Sequence, residues 1–267
     1  MKKLSIFAVA IAAIAFTACG GKKGGQTTEV TDSVKTFEQA QVEAKIKAEL
    51  DSLATEVGKL KALPIFQDDD NSIKLTDQEK QVKPDYLTDP AAAEKATTLA
   101  EKYRMLSVLG IDRRIAELYD MPTDAYKAAL GKLRADINDP SFKEAEGSSN
   151  LIEISQKLYD AMEKNGRINY YWQMTGAALV EEIYVLTQNT DKFITAFDDE
   201  AASNITYRII LLSDAVKRLA DYDPELESTA NAVKALEPLN ATTVNELKTQ
   251  LGQTKEKIAE ARAALVK

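Results

Sequence analysis

The chain has 267 residues, a net charge of −8, no histidine and a single cysteine. The missing histidine excludes Ser-His-Asp and Cys-His nucleophilic machinery, His-ligated zinc and haem on a proximal histidine. A pI near 4.9 argues against nucleic acid as a partner, because that binding rests on cationic neutralisation of phosphates.

Lys2 and Lys3 precede an apolar stretch from Leu4 to Phe16 in which Ser5 is the one polar residue. That stretch is shorter than the about 20 apolar residues a bilayer span needs. It has the length and flanks of the apolar region of a secretory signal. Phe16-Thr17-Ala18-Cys19 follows. It resembles the lipobox of bacterial lipoproteins, with Phe16 where leucine is usual. The resemblance covers this segment alone. It implies that residues 1–18 are removed as a signal peptide and that Cys19 is lipidated. The diacylglyceryl group of that pathway carries two chains, enough for stable attachment where one chain is marginal.

Residues 19–33 then read as a lipidated flexible tether, with GGKKGGQTTEVTDS after the cysteine. Its root-mean-square reach is roughly 20 Å. Lys22 and Lys23 either rest on anionic headgroups or keep the tether solvated. Gly20, not aspartate, stands directly after Cys19, and no acidic run follows. The expected location is therefore the envelope of a Gram-negative bacterium, attached to the outer membrane and facing the periplasm. Asp32-Ser33-Val34 and Asp51-Ser52-Leu53 resemble the Asp-Ser/Thr-aliphatic sites that some Gram-negative anaerobes O-glycosylate.

From residue 34 onward the apolar pattern is helical. Ile46, Leu50, Leu53, Val57 and Leu60 are spaced four and three apart, one face of a helix. The connection 63–88 is long and acidic, beyond the roughly 2–8 residues usual between bundled helices. Asp89-Pro90 reads as cap and first position of a helix through Leu99, Tyr103 and Leu106, broken near Gly110 and continuing to Tyr119. Pro122-Thr123 restarts the pattern, with Tyr126, Leu130, Leu133 and Ile137 on one face and Asn138-Asp139-Pro140 as its end. Residues 141–149 read as a loop. Asn150 with Glu153 caps a helix carrying Leu151, Ile154, Leu158 and Met162, and Asn165-Gly166 stops it in a left-handed turn.

Residues 167–188 are apolar on almost every side and predict a central helix. Residues 190–222 predict one long helix, about 50 Å from end to end. Asp223-Pro224 starts another, ended by Pro238. Thr243 with Glu246 opens the last, whose seam is Val244, Leu247, Leu251, Thr254, Ile258, Ala261 and Leu265. The fold class is all-α: an antiparallel bundle of about seven to eight helices, many long and amphipathic.

Four groups of residues are candidates for chemistry. Read as a twelve-residue loop, Asp68, Asp70 and Ser72 fall at positions 1, 3 and 5 and Glu79 at position 12, slots that resemble an EF-hand calcium loop. Ile73 stands where that loop's turn takes glycine, and Pro64 interrupts the entering helix. The other reading is a solvated acidic loop ending in a Thr76–Glu79 capping box. Tyr170, Tyr171, Trp172 and Met174 either line an apolar ligand pocket or form core. Glu181-Glu182 sits in the same apolar stretch. The solvent edge is the ordinary place for such a pair, whereas one group turned inward would gain a raised pKa and could serve as an acid. Arg113-Arg114 reads as a solvated helix turn, or else as an anion site.

The expected function is non-enzymatic: a helical interaction or scaffold module held on the membrane through Cys19 and engaging an envelope protein, with no cofactor. The alternative is a lipid-anchored protein binding a small ligand at the 170–174 aromatic cluster or a cation, calcium or another hard one, at the 68–79 acidic loop. An enzyme would have to rely on carboxylates, as in glycan hydrolysis, with two of them about 5–10 Å apart across a cleft.

Overall fold

The computed structural model describes residues 36–52, 63–66, 73–144 and 151–266, with the side chains of 50–52 and 151–156 outside the description. The signal stretch, Cys19 and the tether therefore lie outside the described residues, as do the side chains of Leu50, Leu53, Val57 and Leu60. The described residues form helices and connections without a strand, and the helices pack as a bundle, as the sequence pattern predicts. No helix among them is long and apolar enough to cross a membrane.

Helix α1 spans Phe37–Ser52. It buries Ile46 and is tied down by Lys47 to Glu163 at 2.6 Å and by Glu49 to Arg218 at 2.7 Å. The long connection after it holds a 3-10 turn, Pro64–Phe66, and a short helix α2, Asp77–Gln81. The capping box of Thr76 and Glu79 opens α2 as predicted.

Asp89 and Pro90 act as cap and first position, but they start a 3-10 helix over Pro90–Lys95 that stops at Ala96. The main helix, α3, is Leu99–Leu118, opened by its own capping box of Thr98 and Glu101. It runs through Gly110 without the predicted break. Its residues from Tyr103 to Arg113 are buried, and α3 packs on central helix α7 (Ile168–Gln188) and on α4 (Asp124–Ile137). That packing outweighs the roughly 1 kcal/mol a glycine costs inside a helix.

On α4 the predicted face of Tyr126, Leu130, Leu133 and Ile137 is the buried one, and Asn138 ends the helix in the left-handed region at φ 48°. Instead of a loop, Ser141–Glu144 forms one helical turn, α5. The Asn150–Glu153 cap lies outside the described residues. Helix α6, Leu151–Lys164, ends at Gly166 with φ 72°. Arg167 N–H donates to Met162 O at 2.7 Å and Gly166 N–H to Glu163 O at 3.2 Å. These two bonds close a Schellman turn, which needs the positive φ that glycine supplies.

α7 is the spine. It touches α3, α6, α9 (Asp199–Ala220), α10 (Glu227–Lys234) and α11 (Val244–Leu265), and all its residues except Asn169, Tyr184 and Gln188 are buried. The single helix predicted over 190–222 is in fact divided. A short α8, Thr190–Phe193, and a 3-10 turn to Ala196 end at Phe197, whose backbone is extended. Asp198 then caps α9 by accepting from Ala201 N–H at 2.8 Å. Apolar period continues across this break because Phe193, Ile194 and Phe197 fold back into the core. Pro224–Leu226 is a 3-10 turn leading into α10, which stops at Lys234, short of Pro238. The Thr243–Glu246 box opens α11 as predicted.

α7 meets α10 at Gly176, where a methyl group would stand 2.2 Å from Thr229 Cγ2. Thr229 is fully buried and β-branched, so it cannot rotate away freely. Gly176→Ala should destabilise the chain by about 1–3 kcal/mol in chemical denaturation despite alanine's better helix propensity. Adding Thr229→Ser, which removes only Cγ2, should recover much of that loss. A Gly176→Ala protein as stable as its parent would contradict the close approach.

Candidate functional site

Among the described residues, several buried polar groups meet at α7. Gln173 is fully buried; its Oε1 accepts from Arg104 Nη1 at 3.0 Å and Thr229 Oγ1 at 2.5 Å, and its Nε2 donates to Glu225 O at 2.6 Å. It joins α3, α7 and the start of α10.

Glu181 and Glu182 do not lie on the solvent edge. Both are fully buried, on different sides of α7. Glu182 reaches toward α9, where Arg208 Nη2 donates to its Oε2 at 2.6 Å, with Arg208 buried as well. Burial raises the Glu182 pKa, and the Arg208 charge only partly offsets this. Glu181 reaches toward α11. Arg262 Nε donates to its Oε2 at 2.8 Å and Arg262 Nη2 to its Oε1 at 3.1 Å, a bidentate pair.

The same guanidinium stacks over the Tyr184 ring at 4.7 Å, donates to Thr88 Oγ1 and lies 3.6 Å from Asp112 Oδ2. Asp112 also accepts from Thr88 N–H at 2.8 Å, and Tyr126 Oη donates to Thr88 O at 2.9 Å. Burial works against the Arg262 charge, but Glu181 and Asp112 outweigh it and raise its pKa.

Arg113, expected in solvent, is buried on α3 and pairs with Glu117 at 3.2 Å. A further cluster joins α3, the α4–α5 turn and α7. Tyr103 Oη donates to Asp139 Oδ2 at 2.5 Å, Arg167 Nη1 to Tyr103 Oη at 3.3 Å, and Tyr103 stacks on Tyr170 with centroids 4.7 Å apart. Burial and then Asp139 push the Tyr103 phenol far above its ordinary range.

Two surface cavities adjoin these elements. One, of about 440 Å³, is bordered by Arg134, Asn138, Asp139, Phe142 and Lys143. Asp139 has both oxygens engaged there, Oδ1 by Ser141 N–H and Oδ2 by Tyr103. The other, of about 280 Å³, carries two carboxylates, Asp214 and Glu237. Glycan hydrolysis needs one such group to hold a proton. Ser213 Oγ donates to Glu237 at 2.7 Å and Lys217 lies nearby, and they hold its carboxyl below the ordinary range. Asp214 is paired with Arg218 at 2.7 Å.

The aromatic residues singled out from the sequence are core. Tyr171 and Trp172 are 1% exposed and Met174 is 0% exposed. Tyr159, Tyr171 and Trp172 meet edge to face, with centroids 5.1 to 6.2 Å apart.

Of the proposed cation ligands, Asp68, Asp70 and Ser72 lie outside the described residues. Glu79 is committed through its Oε2, which accepts from Thr76 N–H and Thr76 Oγ1, both at 2.8 Å. Among the described residues no group of three or more Asp, Glu, Cys or His side chains could hold a metal ion.

That both Glu181 and Glu182 are buried, rather than one at most, and that Arg262 and Arg208 meet them, is what sequence reasoning missed. The available signal was acids in an apolar helix, which must carry partners when buried. No protein-family model, curated protein or solved structure matches this chain.

Proposed function

We propose that this chain is a lipid-anchored envelope protein whose helical bundle acts through contacts with another envelope protein and catalyses no reaction. The carrying observation is Phe16-Thr17-Ala18-Cys19 directly behind Lys2, Lys3 and the apolar stretch, with the chain's one cysteine at the lipid-accepting position. The closed aromatic core around Trp172 supports a contact surface over a ligand chamber, since the side chains best suited to line a pocket are spent on packing. The membrane is the first partner, reached through the Cys19 lipid; the outer membrane, facing the periplasm, is the proposed location.

Metabolic labelling with an alkyne fatty acid tests the anchor. The parent should take up label and sediment with membranes, and Cys19→Ser should take up none. Label on Cys19→Ser, or an unlabelled parent, refutes the lipid assignment. Photo-crosslinking on intact cells then tests the contact role: a discrete adduct supports it, and a co-purifying small molecule with no adduct reverses it.

A further inference from the structure

The Asp112–Glu181–Arg262 cluster sets two fully buried carboxylates against one guanidinium, itself only 13% exposed. Glu181 takes the better geometry, two hydrogen bonds at 2.8 and 3.1 Å. Asp112 has Thr88 on one side, through its backbone N–H at 2.8 Å and its hydroxyl, and a charge contact with Arg262 at 3.6 Å, while its Oδ1 has no hydrogen-bond partner. Burying an ionised carboxylate with an unmet oxygen costs far more than burying a neutral carboxyl group. Glu181 also lies within reach of the same Arg262 Nη2, close enough to oppose the ionisation of Asp112.

Among the described residues, Arg262 is the one cation seen to act on Asp112. From α4 comes Tyr126; from α7, Tyr184; from the segment before the 3-10 helix, Asp85, Tyr86 and Asp89. Burial raises the pKa of all three tyrosines, so they stay neutral through the physiological range, and the aspartates add only negative charge.

We propose that Asp112, Glu181 and Arg262 form a proton-dependent clasp on the C-terminal turns of α11, closed while Asp112 holds a proton and loosened when that proton leaves. Arg262 is the only cation the cluster draws from α11, and it links that helix to α3 through Asp112, to α7 through Glu181 and to the Thr88 segment at once. When Asp112 ionises, the guanidinium faces two charged acids, and the cluster carries net negative charge in a dry interior.

The direction of the pH effect follows from linkage. Burial, then Glu181, push Asp112 well above the ordinary carboxyl range. The folded state therefore binds the proton more tightly than the open state. Stability of the clasp is greatest below the ordinary aspartate value of about 3.9 and declines as pH rises from there toward the folded-state value, by up to about tenfold per pH unit.

Hydrogen exchange on the full chain in detergent micelles tests this. Amides of residues 258–265 are followed from about pH 5 to pH 8, each corrected for its intrinsic chemical rate. In the parent, protection should fall with rising pH; in Asp112→Asn, which keeps an acceptor for Thr88 N–H, it should stay flat. Equal slopes in the two proteins, or a flat parent, overturn the clasp.

A second readout is the carboxyl carbon resonance of Asp112. It should titrate well above about 3.9 in the parent and at lower pH in Glu181→Gln, which leaves Arg262 to Asp112 alone. This measurement stands even if Asp112→Asn fails to fold. Titration at or below the ordinary value in the parent, or no shift in Glu181→Gln, refutes the stored proton.

Discussion

Replacing Arg208 by methionine is expected to cost the fold about 3–5 kcal/mol, because it takes from the buried Glu182 carboxylate its hydrogen-bonded partner and leaves only the charge of Arg114 nearby. The two side chains are 0% and 3% exposed and meet at 2.6 Å. Even with its partner present, burial lifts the Glu182 pKa, so desolvation already exceeds the attraction. Glu182 Oε1 and Arg208 Nη1 each lack a further hydrogen bond, which weakens the pair's return on its desolvation. The double variant Glu182→Leu with Arg208→Met should therefore regain the whole loss and match or exceed the parent. Chemical denaturation of the three proteins measures both effects. A single variant that loses under about 1 kcal/mol, with no recovery in the double, would mean that water reaches the pair and the burial argument fails.

The same burial shapes stability against pH. Asp112 and Glu182 bind protons more tightly folded than unfolded, so each takes stability away as pH rises above the ordinary carboxyl values of about 3.9 and 4.3. The capping-box glutamates act with the opposite sign. Backbone N–H groups of Thr76, Thr98 and Thr242 are the first cause that holds Glu79, Glu101 and Glu246 below the ordinary range. Their contribution is present above about 4.3 and disappears as pH falls through their lowered values. The exposed caps lose strength on the acid side and the buried acids on the alkaline side.

The caps were legible in the sequence because they are local. Thr243 with Glu246 and Thr76 with Glu79 each need only three residues of spacing, and Gly166 only one permissive backbone position. The box of Thr98 and Glu101 is equally local but was masked by the strong Asp89-Pro90 start, which opens a 3-10 turn of its own. At Phe197 the chain breaks while its apolar period continues, so periodicity read one helix; the cap at Asp198, followed by the acids Asp199 and Glu200, was the competing signal. The polar centre was not readable. Arg208 stands 26 residues from Glu182 and Arg262 stands 81 from Glu181. Only the packing of α9 and α11 on α7 brings them together. An acid pair in an apolar helix announces that partners are needed without saying which residues they are.

Trp172→Ala should cost about 3–5 kcal/mol, and this variant also separates a core from a ligand chamber. Trp172 is 1% exposed and takes Tyr159 and Tyr171 edge to face, at 6.2 and 5.5 Å. Such pairs contribute about 0.5–1.5 kcal/mol beyond area burial. Truncation removes an indole from between packed helices, and a well-packed interior collapses only partly around the void. The void should then accept a small aromatic probe, as dry engineered cavities do. Indole at saturating concentration should raise the melting temperature of Trp172→Ala and leave the parent unchanged, since only a state with a site gains from the ligand. A loss below about 1 kcal/mol on truncation would show that Trp172 borders open space. Equal stabilisation of the parent by indole would show a chamber already present beside it, and the small-ligand reading would displace the scaffold one.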